Sequence, residues 1–310
     1  MRIGIIGAGA MGSLFAYLLC QAGYSPWLLD ECQEKVDKIK TDGLTVEGVT
    51  GEHHISCLNI TSRPEEIGIV DLLIVFVKAY DTEKAIRRAV SMIGDGTLVL
   101  TLQNGLNNLE KITDITGKSQ AIGGITAHGA TRLGHAHIRH AGIGETVVGS
   151  LKCERTKELI KIKEILDSSG IQTSITDDVE GTIWSKLIIN AAINPLTALT
   201  HLNNGEIIEH SELLDIQSRV IGEACAVAKA KGVTIHYRNP LEKVKDVCRA
   251  TAFNKSSMLQ DILNGKKTEI DYINGAILSE GSRYNVPTPY NEILTRLVKA
   301  LEIQRELILN

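Results

Sequence analysis

Paired cysteines, a membrane-length apolar run, a field of one charge and any internal repeat are all missing from this chain of 310 residues. Its six cysteines, Cys20, Cys32, Cys57, Cys153, Cys225 and Cys248, form no C-x-x-C and no tight zinc spacing. That suits reduced thiols packed in a cytoplasmic protein. No stretch approaches the roughly 18 uncharged apolar residues of a membrane span, and the N-terminus runs straight into a strand pattern without a signal-peptide layout. The expectation is a cytoplasmic chain with no membrane partner. A formal net charge of −4, with Lys and Arg dispersed, offers no basic field for nucleic acid. No segment is of low complexity. These exclusions leave a small molecule as the partner, and the sequence leaves open whether the chain acts alone or as a homodimer.

What is present is length and apolar content. At 310 residues, 43% of them hydrophobic, the chain exceeds what a single core usually reaches, so two domains are expected. It opens Arg2-Ile3-Gly4-Ile5-Ile6-Gly7-Ala8-Gly9-Ala10-Met11-Gly12, an apolar strand running into a Gly-x-Gly-x-x-Gly turn and a helix-like stretch over 11–22. Gly7 permits the tight turn and Gly9 lets the backbone approach a pyrophosphate. Gly12 lets the helix pack close to the strand, and amides around Met11 at the helix start face the anion. Asp30 lies 23 residues after Gly7, at the end of the next apolar run, near the spacing of a ribose-binding carboxylate. A glycine-rich turn that binds nothing is the bland alternative; the strand before and the helix after argue against it.

Further along, residues 44–58 read as short paired strands beside the main sheet. Asp71-Leu72-Leu73-Ile74-Val75-Phe76-Val77 is a continuous apolar run of the kind found in a strand covered on both faces, with Lys78 at its carboxyl end. A helix over 81–92 and a strand over 97–102 follow, the strand leading into Gln103-Asn104-Gly105. Ligands of doubly wound sheets bind outside the carboxyl ends of the strands, which makes Lys78 and Asn104 candidates. Lys78 also reads as a solvated strand-end lysine, and Asn-Gly as a common turn pair. Residues 120–149 are glycine-rich and β-like, 156–169 helical, and 171–175 a last strand. His135, His137 and His140 invite a metal reading, but no acid or cysteine completes the set and alternation along a strand explains their spacing. Beyond residue 177 strand signals vanish and helices are expected over 211–231, 241–252, 270–284 and 291–309. The fold class is therefore α/β: an N-terminal Rossmann dinucleotide-binding domain, residues 1–177, followed by an all-helical C-terminal domain, residues 178–310.

The first helix of that second domain reads Trp184-Ser185-Lys186-Leu187-Ile188-Ile189-Asn190-Ala191-Ala192-Ile193-Asn194-Pro195. Lys186, Asn190 and Asn194 recur every four residues and so share one face. Exposed helix faces usually carry Glu, Lys and Gln, and Asn is a mediocre helix former, which favours a face lining a cleft over a solvated stripe. Pro195 is expected to kink or end the helix. In the segments 254–261 and 268–275, Ser256 with Asp261 and Thr268 with Asp271 read from spacing alone equally well as helix caps or as part of a site.

Taken together these blocks resemble the ketopantoate reductase family over essentially the whole length. The resemblance is carried by the glycine turn, Val77-Lys78-Ala79, Gln103-Asn104-Gly105, Trp184-Ser185-Lys186-Leu187, Asn190 with Asn194-Pro195-Leu196-Thr197, Ser256-Ser257-Met258-Leu259-Gln260-Asp261, and Thr268-Glu269-Ile270-Asp271-Tyr272-Ile273-Asn274-Gly275. It implies a Rossmann domain and a helical domain with the active site in the cleft between them. The implied activity is NAD(P)H-dependent reduction of ketopantoate to pantoate on the route to pantothenate, the coenzyme A precursor. It also implies catalytic roles for Lys186 and Glu269. Asn190, Asn194, Asn254 and Ser257 would hold the substrate, with Asn104 near the nicotinamide and Lys78 at the cofactor edge. NADPH is the cofactor the resemblance implies, whereas Asp30, followed by Glu31 and Glu34, is the wrong charge for a 2′-phosphate and favours NADH. Reduction of another branched 2-keto acid, or a catalytically silent dinucleotide sensor, are the competing readings. A sensor needs no proton donor such as Lys186.

Overall fold

The computed structural model describes residues 1–117, 121–151 and 156–309. Gln120 and Cys153 fall outside them. The five described cysteines are free thiols. The chain divides into two compact units, one built from residues 1–103 and 107–179, the other from 104–106 and from Glu180 onward.

The first unit opens with β1 (Ile3–Ile6), α1 (Ala10–Gln21), β2 (Trp27–Leu29) and α2 (Gln33–Asp42). It continues through β3 (Leu44–Gly48), β4 (His53–Ile55), β5 (Asn59–Thr61), β6 (Leu72–Val75), α3 (Thr82–Arg88), β7 (Leu98–Thr101) and α4 (Asn108–Thr116). Then come β8 (Ala121–Thr126), β9 (Gly129–Gly134), β10 (His137–Gly142), β11 (Thr146–Gly149), α5 (Thr156–Ser168) and β12 (Thr173–Ile175). Eight strands form one sheet in the order β12-β11-β8-β7-β6-β1-β2-β5. All pairs from β5 to β8 are parallel, and only β11 runs antiparallel to its neighbour β8. Strands β1, β6 and β7 are buried at every position, as apolar runs covered on both faces must be. Strand order reverses at β1, which has β2 on one side and β6 on the other. Ligands of such sheets bind at that reversal, outside the carboxyl ends. The glycine turn follows β1 there, and Lys78 follows β6.

The paired strands expected over 44–58 belong to a separate four-stranded sheet, β4-β3-β10-β9, against which α1 packs. The helix expected over 81–92 is shorter. It stops at Arg88, where the Ala89 amide is shared between the carbonyls of Ala85 and Ile86, and a single 3-10 turn follows at Val90–Met92.

The second unit holds α6 (Val179–Thr200), α7 (Ser211–Lys231), α8 (Pro240–Ala250), α9 (Ser257–Leu263), α10 (Asn274–Arg283) and α11 (Pro289–Leu309). Its described residues include no strand. Its core joins Trp184, Leu187, Ile188 and Ala191 of α6 to Val220, Ala224 and Val227 of α7 and Ile277 of α10. Fully burying each larger aliphatic contributes roughly 1.5–3 kcal/mol. Two expectations change here. Helix α6 continues through Pro195 to Thr200 and ends only where His201 turns to φ 63°. The helix expected over 270–284 is split, because the Tyr272 carbonyl accepts the Leu106 amide and Ile273 leaves helical geometry, so α10 starts afresh at Asn274. Among the described residues no helix is long and apolar enough to cross a membrane.

Candidate functional site

The glycine turn is built so that only glycine fits where it matters. Gly7 sits at φ +96°, and a Cβ on Gly12 would lie 1.9 Å from the Gly7 carbonyl oxygen. A Cβ on Gly9, by contrast, would meet open space. No side chain caps the N-terminus of α1 and no acid occupies its first turn, so its leading amides suit an anion. Met11 packs half-buried against the core of this unit. The turn therefore fits the pyrophosphate of a dinucleotide.

Asp30, 8% exposed, is held from three directions. The Ala8 amide donates to its Oδ2 at 2.8 Å, the Cys32 amide to its Oδ1 at 3.0 Å, and Lys35 Nζ to Oδ2 at 2.6 Å. Of the roughly four acceptor positions of a carboxylate, these three donors occupy three. The neighbouring acids are also matched: Glu31 pairs with Lys84 at 2.7 Å, and Glu34 lies 3.7 Å from His135. Of the negative cluster read from the sequence, Asp30 and Glu31 thus carry lysine counter-charges.

At the carboxyl end of β6, Lys78 leads a 3-10 turn, Ala79–Asp81. Gln103 organises this turn, donating from Nε2 to the Val77 carbonyl at 2.6 Å and to Thr82 Oγ1 at 2.9 Å while Thr101 donates to its Oε1. Sequence reading passed over Gln103 because its partners lie 26 and 21 residues away.

The histidines disperse. His137 bonds Glu47 at 3.0 Å, His135 faces Glu34, and His140, 1% exposed, stacks on His128 with the two rings sharing a hydrogen bond at 3.1 Å. Burial pushes His128 down to about 4 and lowers His140 as well. Among the described residues no three His, Cys, Asp or Glu side chains converge as a metal site.

In the second unit, α6 presents Lys186 and Asn190 half-buried and Asn194 buried along one face. Protein crowding around the Lys186 ammonium disfavours its charge and pushes it down to about 8, against the opposing pull of Glu269. Glu269 is itself buried and precedes the 3-10 turn Ile270–Tyr272. Asn104 groups with this unit: Asn190 Nδ2 points at Asn104 Oδ1 at 3.4 Å, and the Leu106 amide donates to the Tyr272 carbonyl at 3.0 Å. Gly105, at φ +83°, lies so close to Tyr272 that a Cβ would come within 2.5 Å of its carbonyl oxygen. Ser256 caps α9, accepting from the Leu259 amide, and hooks that helix onto α6 through a 2.6 Å hydroxyl contact with Thr197. Asn254 and Ser257 stand exposed on either side of this hook. The structure thus gathers Lys186, Asn190, Asn194, Asn104 and Glu269 around α6, with Asn254 and Ser257 at its far end.

Residues 3–152 match the model for ketopantoate reductase PanE/ApbA, and residues 178–302 match that for its C-terminal portion. The chain belongs to the ketopantoate reductase family. Members of this family are NAD(P)H-dependent oxidoreductases acting on 2-keto acids, and the chain is one of them. A 2-dehydropantoate 2-reductase of Pyrococcus horikoshii is 37% identical over 302 residues, covering 97% of this chain and 98% of the relative. A crystal structure of 2-dehydropantoate 2-reductase from Geobacter metallireducens superposes with a TM-score of 0.92 at 27% identity, covering 97% and 99% of the two chains. A D-mandelate dehydrogenase determined with NADH and anilino(oxo)acetate is 31% identical, with a TM-score of 0.92 over 99% of this chain and 100% of that one. A relative of this fold is thus a dehydrogenase of a different 2-hydroxy acid, D-mandelate.

Proposed function

We propose that this chain reduces ketopantoate to pantoate, with Lys186 donating the proton to the ketone oxygen. The observation that carries the reading is the ammonium of Lys186, brought down to about 8 by burial, on the same helix face as Asn190 and Asn194 and under the charge of Glu269. Hydride addition to a ketone leaves an alkoxide, and a nearby ammonium stabilises that charge as it develops and supplies the proton. A lysine brought nearer to neutrality is a better matched acid than one at its ordinary 10.5, yet at pH 7 it stays about nine-tenths protonated. Asn190, Asn194, Asn254 and Ser257 bind the hydroxyl and carboxylate of the substrate without adding a second strong charge. A nicotinamide cofactor supplies the hydride when bound. Gly7, Gly9, Met11 and Gly12 hold its pyrophosphate, Asp30 its adenosine ribose, and Lys78 and Asn104 the remainder.

NADH is the preferred cofactor in this reading, because the free acceptor position of Asp30 suits a ribose hydroxyl. NADPH remains usable because Lys35 already neutralises that carboxylate. A second reading, reduction of a different 2-keto acid, is favoured by the likeness to D-mandelate dehydrogenase. A spectrophotometric assay of nicotinamide oxidation across ketopantoate, benzoylformate and branched 2-keto acids separates the two. The expected result is highest kcat/KM with ketopantoate. An advantage of tenfold or more for another acid overturns the substrate assignment.

A further inference from the structure

Helix α6 contains a backbone defect in its last third. Pro195 has no N–H, so the carbonyl of Ala191, four residues earlier, loses the ladder donor that an α-helix would give it. That carbonyl is buried in the core of the second unit, where an unmade hydrogen bond costs about 1–3 kcal/mol. The missing donor comes from elsewhere in the chain. Asn274, fully buried at the start of α10, donates from Nδ2 to the Ala191 carbonyl oxygen at 3.1 Å.

Asn274 is in turn fixed. Its Nδ2 also donates to Asn291 Oδ1 at 3.0 Å, and Asn291 Nδ2 donates to Glu223 Oε2 at 2.7 Å. The Glu223 carboxylate further accepts the backbone amides of Tyr290 and Asn291, each at 2.9 Å, at the beginning of α11. A continuous chain, half-buried at Glu223 and fully buried at Asn291 and Asn274, therefore runs from α7 through α11 and α10 to the middle of α6. On the other side, Asn274 is joined to Glu269 by one tight turn, in which the Glu269 carbonyl accepts the amides of Tyr272 at 2.9 Å and Ile273 at 3.1 Å.

We propose that Asn274 is a positioning residue which uses the carbonyl freed by Pro195 to hold the Glu269 segment against the helix that carries Lys186. The assignment rests on the reading of Lys186 and Glu269 as the catalytic pair. An alanine at position 195 would close the helical ladder and leave the hydrogen-bond count unchanged. What the proline and asparagine accomplish together is to convert a bond within one helix into a bond between two segments. Only the second kind fixes the position of a carboxylate relative to an ammonium. Glu269 is the charge that acts on Lys186, while Asn104, Asn190 and Asn194 around it are neutral. Any slackening of the Glu269 turn is therefore reported by the lysine's own titration.

The test compares Asn274→Ala with Asn274→Ala/Pro195→Ala, in which an alanine N–H again serves the Ala191 carbonyl. Lys186 is titrated by NMR of its Nζ, assigned with Lys186→Arg, which requires no substrate. In Asn274→Ala the thermal midpoint falls, the Lys186 titration moves down by about half a unit to one unit, and kcat drops about tenfold or more. In the double variant the thermal midpoint recovers while the titration and kcat stay displaced. If the single variant does not fold, the double variant carries the test. A wild-type titration and kcat in either folded variant overturns the proposal. Ketopantoate left untouched by the unmodified protein, together with a displaced Lys186 titration in the variants, would sink the substrate assignment and leave the positioning role standing.

Discussion

The two units of this protein solve their recognition problems with different parts of the chain. The parallel-sheet unit prepares its ligand turn from backbone: Gly7 and Gly12 are needed for what they lack, and the open space before Gly9 is formed by absent atoms. The helical unit would build its proposed site from side chains spaced along α6, where Asn190 meets Asn104 and the Ala191 carbonyl meets Asn274, partners far away in sequence. The difference teaches that damage should separate cleanly. Side-chain truncation on α6 should strike chemistry and spare cofactor affinity. Filling the glycine turn should do the reverse.

The sharpest break is Lys186→Ala, expected to lower kcat by roughly 10² to 10⁴ while the dissociation constant for the dinucleotide stays within about twofold. Loss of both in step, measured by fluorescence titration beside steady-state kinetics, would erase the separation. Next is Gly12→Val, whose Cβ has no room beside the Gly7 carbonyl. Overpacking of that kind costs about 1–3 kcal/mol, and if the strain falls on the turn, dinucleotide affinity should weaken by about fivefold to 150-fold, with kcat at saturating cofactor nearly intact. A third expectation concerns pH. With Lys186 as the proposed proton donor, kcat/KM for the keto acid should fall about tenfold per pH unit above about 8, whereas oxidation of the hydroxy acid should rise through the same range. A flat profile from pH 7 to 10 would remove Lys186 from the proton transfer. The smallest effect belongs to Lys35→Met. Stripping the counter-charge from Asp30 should raise the preference for NADH over NADPH by several-fold to about tenfold, since one unit pair at about 4 Å is worth about 1 kcal/mol in water and about 4 at an effective dielectric of 20. An unchanged ratio would mean that Asp30 does not read the ribose.

The same contrast governs what could be read in advance. The glycine turn was legible because it demands backbone conformations and clearances that only glycine meets, and the α6 stripe because a four-residue recurrence survives in sequence. Glu269, Asn254 and Ser257 became candidates through family motifs, since nothing in their spacing sets them apart from capping residues. Gln103 and Asn274 were overlooked for a physical reason: each is defined by a carbonyl 26 or 83 residues away. Pro195 was read as removing a ladder bond and as kinking or ending the helix, and the helix does not end there. The proline signalled a carbonyl in want of a donor, and a donor from α10 let the helix continue.

The buried histidine pair has a consequence for acid tolerance. His128 is held near 4, whereas an unfolded chain leaves it at its ordinary 6.5, so between those values the unfolded state binds more protons than the folded one. The stability that comes from keeping the pair neutral is complete above pH 6.5 and is lost as pH falls through 4, a difference of about 3 kcal/mol for one site. Mild acid should therefore loosen the small sheet formed by β3, β4, β9 and β10 early, and His128→Phe should flatten the fall in thermal midpoint between pH 6.5 and pH 4. An equally steep fall in that variant would place the acid sensitivity elsewhere. Two titratable rings turned inward beside the small sheet thus give the sheet unit a lower limit of pH for storage and handling.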